Sequence, residues 1–275
     1  MTSPLDVAVV QLQADEDVQE NARAAAEAIR DAGRAQLVVL PEYTSGWAKH
    51  LRPELAQPAR GPFTEAVRRA ARESGRTVVL GTMEPDDGES ARCANVALAI
   101  GPDGQDLGRY RKVHLFDAYG IRESDTLTPG PAGAEHALVL DVGALRVGVA
   151  TCYDIRFPET FRVLADAGAN VFAIGAAWAA GEGKAELLLT LARARAIENG
   201  SYVLISSQPG PGRSGHSAIV DPRGVVLSQA GSDEARTLHA ALDPEVVRAT
   251  RAQVPSLGHR RYRVVPVDGA GGRVG

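Results

Sequence analysis

Cysteine is scarce in this sequence, and its scarcity excludes several structural classes. The 275 residues include only two cysteines, Cys93 and Cys152. Two are too few for the disulfide framework of a small secreted protein, and they fit a reducing compartment such as the cytoplasm. The spacings His-x-x-x-His and Cys-x-x-Cys do not occur either. No common metal-binding motif is therefore present, and we expect neither a metal nor another cofactor.

Long apolar runs and a strong charge of one sign are also absent. The most apolar window, Val171 to Ala180, is far shorter than the roughly 20 residues needed to span a bilayer. The first residues, Met1-Thr2-Ser3-Pro4, lack the charged and apolar regions of a signal peptide. A net charge of -4 and a pI near 5.9 give no support for a nucleic-acid partner. We expect a soluble, cytoplasmic protein with neither a membrane nor a nucleic-acid partner.

Apolar residues are plentiful, at 44% of the chain, and a chain of this length can bury a sizeable core. Predicted strands alternate with predicted helices, a pattern typical of an α/β protein. Two turns, at Gly101–Gly104 and Asp221–Gly224, predict hairpins, and hairpins imply mixed rather than purely parallel sheets. We predict one domain over residues 1–268 and a disordered, glycine-rich tail over residues 269–275.

The segment around Cys152 predicts a thiol at a sharp corner. The apolar run Val147–Ala150 predicts a buried strand that ends just before Cys152, and Pro158 suits the first turn of a following helix. A side chain at such a strand-turn-helix corner lies near backbone N–H groups, here that of Tyr153, which can bind an oxyanion. Taken alone, Cys152 is better explained as a buried structural cysteine than as a nucleophile.

Two further polar residues follow predicted strands. Glu42 follows the apolar run Leu37–Leu40, and Lys112 follows the strand Leu107–Tyr110. A cysteine nucleophile needs a base or a cation beside it, because its thiol is only partly ionised near neutral pH. Glu42 can take the thiol proton, and Lys112 can stabilise the thiolate and then an oxyanion. Alternatively, Glu42 is a solvated loop carboxylate, and Lys112 is a surface charge at the end of a strand.

Several motifs make the sequence resemble the nitrilase superfamily of carbon-nitrogen hydrolases from Val7 to about Arg263. The motifs that carry the resemblance are Leu40-Pro41-Glu42, Tyr110-Arg111-Lys112-Val113-His114-Leu115-Phe116, Cys152-Tyr153-Asp154-Ile155-Arg156-Phe157-Pro158-Glu159, Ala194-Arg195-Ala196-Ile197-Glu198-Asn199, Ser214-Gly215-His216-Ser217 and Asp221-Pro222-Arg223-Gly224. So many motifs in the right order are highly specific. The run that begins at Cys152 is most similar to the branch of ω-amidases and deaminated-glutathione amidases.

The resemblance implies a fold, an assembly and a set of roles. The fold is a four-layer α-β-β-α sandwich with mixed sheets, paired into homodimers or larger assemblies through a helical face. Glu42 would be the general base, Lys112 the oxyanion stabiliser and Cys152 the nucleophile. Glu123 would be a second glutamate that orients the site and its water.

We therefore predict a thiol-dependent amidohydrolase that cleaves a small, carboxylate-bearing amide through a cysteine thioester and releases ammonia. Arg156 is predicted to hold the substrate carboxylate, and Trp178 to lie against the substrate. Alternatively, Arg156 braces its loop by pairing with Asp154 or Glu159. Arg195 is a second candidate for the carboxylate, although its place in a long predicted helix favours a structural ion pair.

Other functions use the same residue types. A nitrilase, an N-carbamoyl amidohydrolase or an acyltransferase can employ a cysteine, a glutamate and a lysine in this way. A catalytically silent binding protein on the same fold is the alternative from a different class.

Overall fold

Strands and helices alternate along the chain, as predicted for an α/β protein. The computed structural model describes residues 3–86 and 92–267. The strands are β1 (Leu5–Gln11), β2 (Leu37–Val39), β3 (Thr77–Pro85), β4 (Cys93–Ile100), β5 (Asp106–Arg111), β6 (Asp117–Ala118), β7 (Ile121–Arg122), β8 (Val139–Val142), β9 (Leu145–Thr151), β10 (Val171–Ala176), β11 (Tyr202–Ser207), β12 (Ala218–Val220), β13 (Val226–Gln229) and β14 (Arg236–Leu242). The helices are α1 (Val18–Arg30), α2 (Pro62–Ser74), α3 (Pro158–Asp166), α4 (Lys184–Asn199) and α5 (Pro244–Gln253). The predicted tail over 269–275 lies outside the described residues, and the single domain over 1–268 stays a prediction.

Most of the strands form two six-stranded sheets. The first has the order β14-β1-β2-β3-β4-β5, and the second has the order β13-β12-β11-β10-β9-β8. In the first sheet β1, β2 and β3 are parallel, while β14, β4 and β5 pair antiparallel at its edges. In the second sheet β9, β10 and β11 are parallel, with antiparallel edges. The mixed sheets predicted from the two hairpins are confirmed.

Side chains on alternate sides of each strand build the layers, because successive residues of a strand point to opposite faces. In β1, Val7 and Val9 enter the core between the two sheets, whereas Ala8 and Val10 pack against α1 and α2. Helices α3 and α4 cover the outer face of the second sheet, where Phe161 packs against β10. The layers therefore run helix, sheet, sheet, helix, which confirms the four-layer sandwich.

Helix ends are set by capping residues. The Asp17 carboxylate caps α1, and Asp243 caps α5 just ahead of Pro244. Gly75 and Gly200 end α2 and α4 in the left-handed region that favours glycine. None of the helices in residues 3–86 and 92–267 is long and apolar enough to cross a bilayer.

Two strand predictions were incomplete. β3 runs to Pro85 rather than ending at Leu80, because its polar residues pair with β4 along the full register. Part of the polar turn predicted over residues 85–90 is thus strand, and residues 87–90 lie outside the described residues. β8 went unpredicted, because Asp141 interrupts its short apolar run. The segment 117–131, predicted as loop, contains the small β6–β7 hairpin and a 3₁₀ turn.

Candidate active site

The four predicted catalytic side chains meet at one end of the sandwich. Glu42 follows β2, Cys152 follows β9, Lys112 follows β5, and Glu123 begins the 3₁₀ turn after β7. The Lys112 Nζ lies 2.8 Å from Glu42 Oε1 and 2.8 Å from Glu123 Oε2. The carboxyl ends of parallel strands are where α/β sheets bind ligands. The structure thus brings together residues that are more than 100 positions apart.

Glu42 is 1% exposed, and its carboxylate is held by several donors. Lys112 Nζ and Asn95 Nδ2 both donate to Oε1, each at 2.8 Å, and the Ala177 N–H donates to Oε2 at 2.8 Å. The Cys152 thiol lines the same pocket as this carboxylate. Donors from both sheets therefore fix the carboxylate in the pocket that it shares with the thiol.

The backbone of Glu42 is enclosed by two glycines, one from each sheet. A Cβ atom on Gly81 of β3 would lie 2.4 Å from the Glu42 Cα. A Cβ atom on Gly175 of β10 would lie 2.9 Å from the Glu42 N. Gln208 Nε2 adds a hydrogen bond of 2.7 Å to the Glu42 carbonyl. Glycine is required at both positions because the backbones approach so closely.

Lys112 is locked between two carboxylates. Its Nζ donates to both oxygens of Glu123, at 3.0 and 2.8 Å, while the Tyr43 hydroxyl and the Phe116 N–H donate to Glu123 at 2.9 and 2.7 Å. Burial disfavours the charged amine, but Glu123 and Glu42 outweigh this and hold the pKa of Lys112 well above its usual value. The cation is permanent at any physiological pH.

Cys152 occupies a strained position, with a backbone φ of 44° at the start of a 3₁₀ turn. Burial and the adjacent Glu42 carboxylate raise the pKa of its thiol well above the usual value, and Lys112 lowers it only in part. The resting thiol is thus neutral, and a thiol must lose its proton to a base before it can act as a nucleophile.

Asp154 connects the nucleophile turn to the lysine strand. It is fully buried, and its carboxylate accepts hydrogen bonds from the Thr151 N–H at 3.0 Å and the Tyr110 hydroxyl at 2.8 Å. His114 Nδ1 lies 2.7 Å from the same carboxylate. Tyr110 and His114 stand two residues on either side of Lys112, so Asp154 fixes the lysine relative to the thiol. His114 thus has a structural role in this network.

Arg156 and Trp178 both line the pocket that opens above the thiol. The Arg156 guanidinium lies 5.4 Å from the Trp178 ring centroid and 5.9 Å from that of Tyr153. Its Nε is buried without a hydrogen-bond partner. Within the described ranges, Arg156 forms no ion pair with Asp154 or Glu159. The pairing on which the bracing alternative depends is therefore not observed among these residues.

Arg195 has the structural role that its helical position favoured. It is 5% exposed, pairs with Glu198 at 3.1 Å and donates to the Ile155 carbonyl at 2.8 Å. It does not line the pocket.

Sequence reasoning missed several residues that hold this site. Tyr43 directly follows the motif Leu40-Pro41-Glu42, and Asp154 lies inside the motif that begins at Cys152. Their residue types alone did not reveal that Tyr43 binds Glu123 or that Asp154 binds the strand before Lys112. Asn95 did carry a signal, because it is a buried polar residue within an otherwise apolar strand. The Ala177 N–H carries no side-chain signal at all.

The pocket lining is rich in cations rather than in metal ligands. Four cationic side chains line it, namely Lys49, Arg156, Lys184 and Arg213, against two carboxylates, Glu42 and Glu123. Across residues 3–86 and 92–267, no three or more His, Cys, Asp or Glu side chains are grouped to hold a metal ion.

Comparison with known sequences gives one family match and close relatives. The family described as carbon-nitrogen hydrolase matches residues 6–252. An omega-amidase of Xenopus tropicalis is 34% identical over 262 residues, covering 90% of this chain and 92% of the relative. A deaminated glutathione amidase of Escherichia coli O157:H7 is 36% identical over 229 residues, covering 82% and 85%.

Solved structures show the same architecture. The NitFhit protein of C. elegans superposes with a TM-score of 0.86 at 31% identity, over 94% of this chain and 66% of that longer chain. An amidase from Nesterenkonia sp. AN1 gives a TM-score of 0.78 at 26% identity, over 94% and 95%. In that structure, a mutant of the amidase carries the acetamide moiety of fluoroacetamide on its active-site cysteine.

Proposed function

The chain belongs to the carbon-nitrogen hydrolase family, and we propose that it hydrolyses a small, carboxylate-bearing amide through a thioester on Cys152, releasing ammonia. The membership confirms the resemblance to the nitrilase superfamily. One observation carries the proposal. The buried Glu42 carboxylate contacts the Lys112 cation and lines the same pocket as Cys152. The names of the omega-amidase and amidase relatives support an amide as substrate.

Acylation begins with proton transfer from the Cys152 thiol to Glu42. The resulting thiolate attacks the amide carbon, and the carbonyl oxygen becomes an oxyanion. Neutral Glu42 holds Lys112 less strongly, so the ammonium can turn an N–H toward the oxyanion beside the Tyr153 N–H. Preorganised donors of this kind each contribute roughly 3 kcal/mol. Glu42 then gives its proton to the leaving nitrogen, and the C–N bond breaks.

Deacylation uses the same carboxylate again. Glu42 removes a proton from the attacking water, which adds to the thioester carbon, and the thiolate leaves with that proton to restore the thiol. Glu123 keeps Lys112 in place throughout and helps to orient the water. The products are ammonia and a free acid.

Arg156 supports a substrate that bears a carboxylate. Its guanidinium lines the pocket and lacks an ion-pair partner among the described residues, and a planar guanidinium binds a carboxylate through two parallel hydrogen bonds. We expect ammonia release from an ω-amide with a remote carboxylate to exceed that from a neutral amide, a nitrile or an N-carbamoyl compound. Arg156→Lys should raise KM for the carboxylate amide by on the order of 10-fold, because the bidentate contact is lost.

The control for this comparison is Arg193→Lys. Arg193 donates to the Gly224 carbonyl at 2.9 Å and does not line the pocket, so both KM values should stay unchanged. If Arg156→Lys raised KM equally for charged and neutral amides, Arg156 would no longer support a carboxylate-bearing substrate. Faster ammonia release from nitriles than from amides would overturn the amidase assignment.

We also propose a homodimer or a larger assembly of dimers in the cytoplasm. The support is the family resemblance for the assembly and two unpaired cysteines for the compartment. Light scattering at assay concentration should give at least twice the mass of the chain, and cell fractionation should recover the protein with the cytosol. A fully active monomer would contradict the assembly.

A further inference from the structure

Arg213 is a buried cation in the wall of the same pocket. It is 5% exposed, and its Nη1 donates to the Ala14 carbonyl at 3.0 Å and to Gln208 Oε1. Its Nε is buried with no hydrogen-bond partner. The guanidinium carbon lies 4.0 Å from the ring centroid of Trp47, which also lines the pocket. The neutral contacts of Arg213 do not neutralise its charge.

The charge on Arg213 is costly as it stands. Burial lowers the pKa of the guanidinium to about 10, and the nearby Asp15 carboxylate opposes this shift only in part, so the group is still protonated at neutral pH. Within the described parts of the chain, no carboxylate forms an ion pair with it. A buried charge without a counter-charge in contact is unfavourable, and a bound anion would offset that cost.

Arg213 and Arg156 stand on either side of one segment of chain. Arg156 follows β9 and Arg213 follows β11, while β10 lies between them. The loop that carries Arg213 pairs with the segment after β10, through a bridge to Ala179. Alternate strands of a sheet are about 10 Å apart. The two guanidinium groups thus offer two separate places for anions.

The charge of the whole pocket points the same way. Its cationic side chains outnumber its carboxylates by two, since four cations face two carboxylates, although the chain as a whole carries -4. Both carboxylates are occupied by Lys112. A single substrate carboxylate would balance only one of these two excess positive charges.

We propose that Arg213, packed on Trp47, forms a second anion subsite, so that the substrate carries a second carboxylate besides the one held by Arg156. The inference rests on the proposed function, because it concerns the substrate of the same site. It assigns Arg213 to specificity, as a binding residue remote from the thiol.

The test measures binding without turnover, by calorimetry on Cys152→Ala protein. The ligands are linear dicarboxylates of increasing chain length and monocarboxylates of the same lengths, which resemble the product acid. One dicarboxylate length should bind at least about 10-fold tighter than its monocarboxylate partner, because a second charge-assisted pair forms. Introducing Arg213→Gln into the Cys152→Ala protein should abolish the tighter binding of the dicarboxylate and leave the monocarboxylate affinity unchanged. Arg213→Lys should retain part of the tighter binding.

Arg193→Gln in the same background is the matched control, and it should retain the full advantage. If no dicarboxylate binds tighter than its partner, the subsite is overturned. An equal loss for both ligand types in Arg213→Gln would also overturn it and would assign Arg213 to bracing Gln208. Because this test needs no catalysis, absence of amide turnover in the unmodified enzyme would count against the proposed function alone.

Discussion

Replacing Cys152 with alanine is expected to abolish amide turnover, with a loss of at least about 10⁴-fold in kcat/KM. The variant retains Glu42 and Lys112 but has no atom that can form the thioester. The side chain is small and is 8% exposed at the pocket floor, so its removal should cost only about 1 kcal/mol of unfolding free energy. Steady-state ammonia release measures the loss of turnover, and thermal unfolding measures the change in stability.

Cys93→Ala provides the matched control. Cys93 begins β4, is 2% exposed, and burial raises the pKa of its thiol, so its loss should leave kcat unchanged. In the unmodified protein, brief treatment with iodoacetamide should place an adduct on Cys152, detected by mass spectrometry of the digested protein. Preferential labelling of Cys93, or normal turnover by Cys152→Ala, would refute the nucleophile assignment.

Glu42→Gln is expected to lower kcat by roughly 10²- to 10⁴-fold, the range typical of a lost general base. The amide cannot accept the thiol proton, and the pKa of Cys152 is high enough that little thiolate forms unaided. Deacylation suffers as well, because water needs the same base. Any acyl group that does form should therefore persist, and intact-mass measurement should show it as an adduct on Cys152.

Glu73→Gln is the control for the loss of a carboxylate. Glu73 pairs with Arg30 at the surface at 2.9 Å, and kcat should not change. A Glu42→Gln variant that turns over at the normal rate would contradict the role of Glu42. A variant that is slow but shows no adduct on Cys152 would restrict the role of Glu42 to thiol activation.

The location of the site could be predicted because the strands that carry it are short, apolar and bounded by polar residues. Cys152 and Glu42 follow such runs directly, and the rule that α/β sheets bind ligands at the carboxyl ends of their strands places them together. The stacking of the two sheets could not be predicted in this way. Hydrophobic alternation shows that a face is buried, but it does not show what covers it, and the four layers came from the resemblance alone.

The partners of the catalytic groups were also beyond sequence reasoning. The Ala177 N–H and the Gln208 amide reach Glu42 from the second sheet, 135 and 166 residues along the chain. Such contacts depend on the register between sheets, which no local pattern encodes. Among residues 3–86 and 92–267, Arg156 has no ion-pair partner, and this depends likewise on the contacts of Asp154 with Tyr110 and His114.

The two glycines around Glu42 have a consequence for protein engineering. Gly81 and Gly175 let the peptide of Glu42 enter the gap between the sheets. The distance between the two sheets therefore sets the position of Glu42. A motif such as Leu40-Pro41-Glu42 therefore cannot be grafted onto another α/β scaffold by matching its own strand. The recipient would need a second sheet at the same separation, with a glycine on each side of the graft.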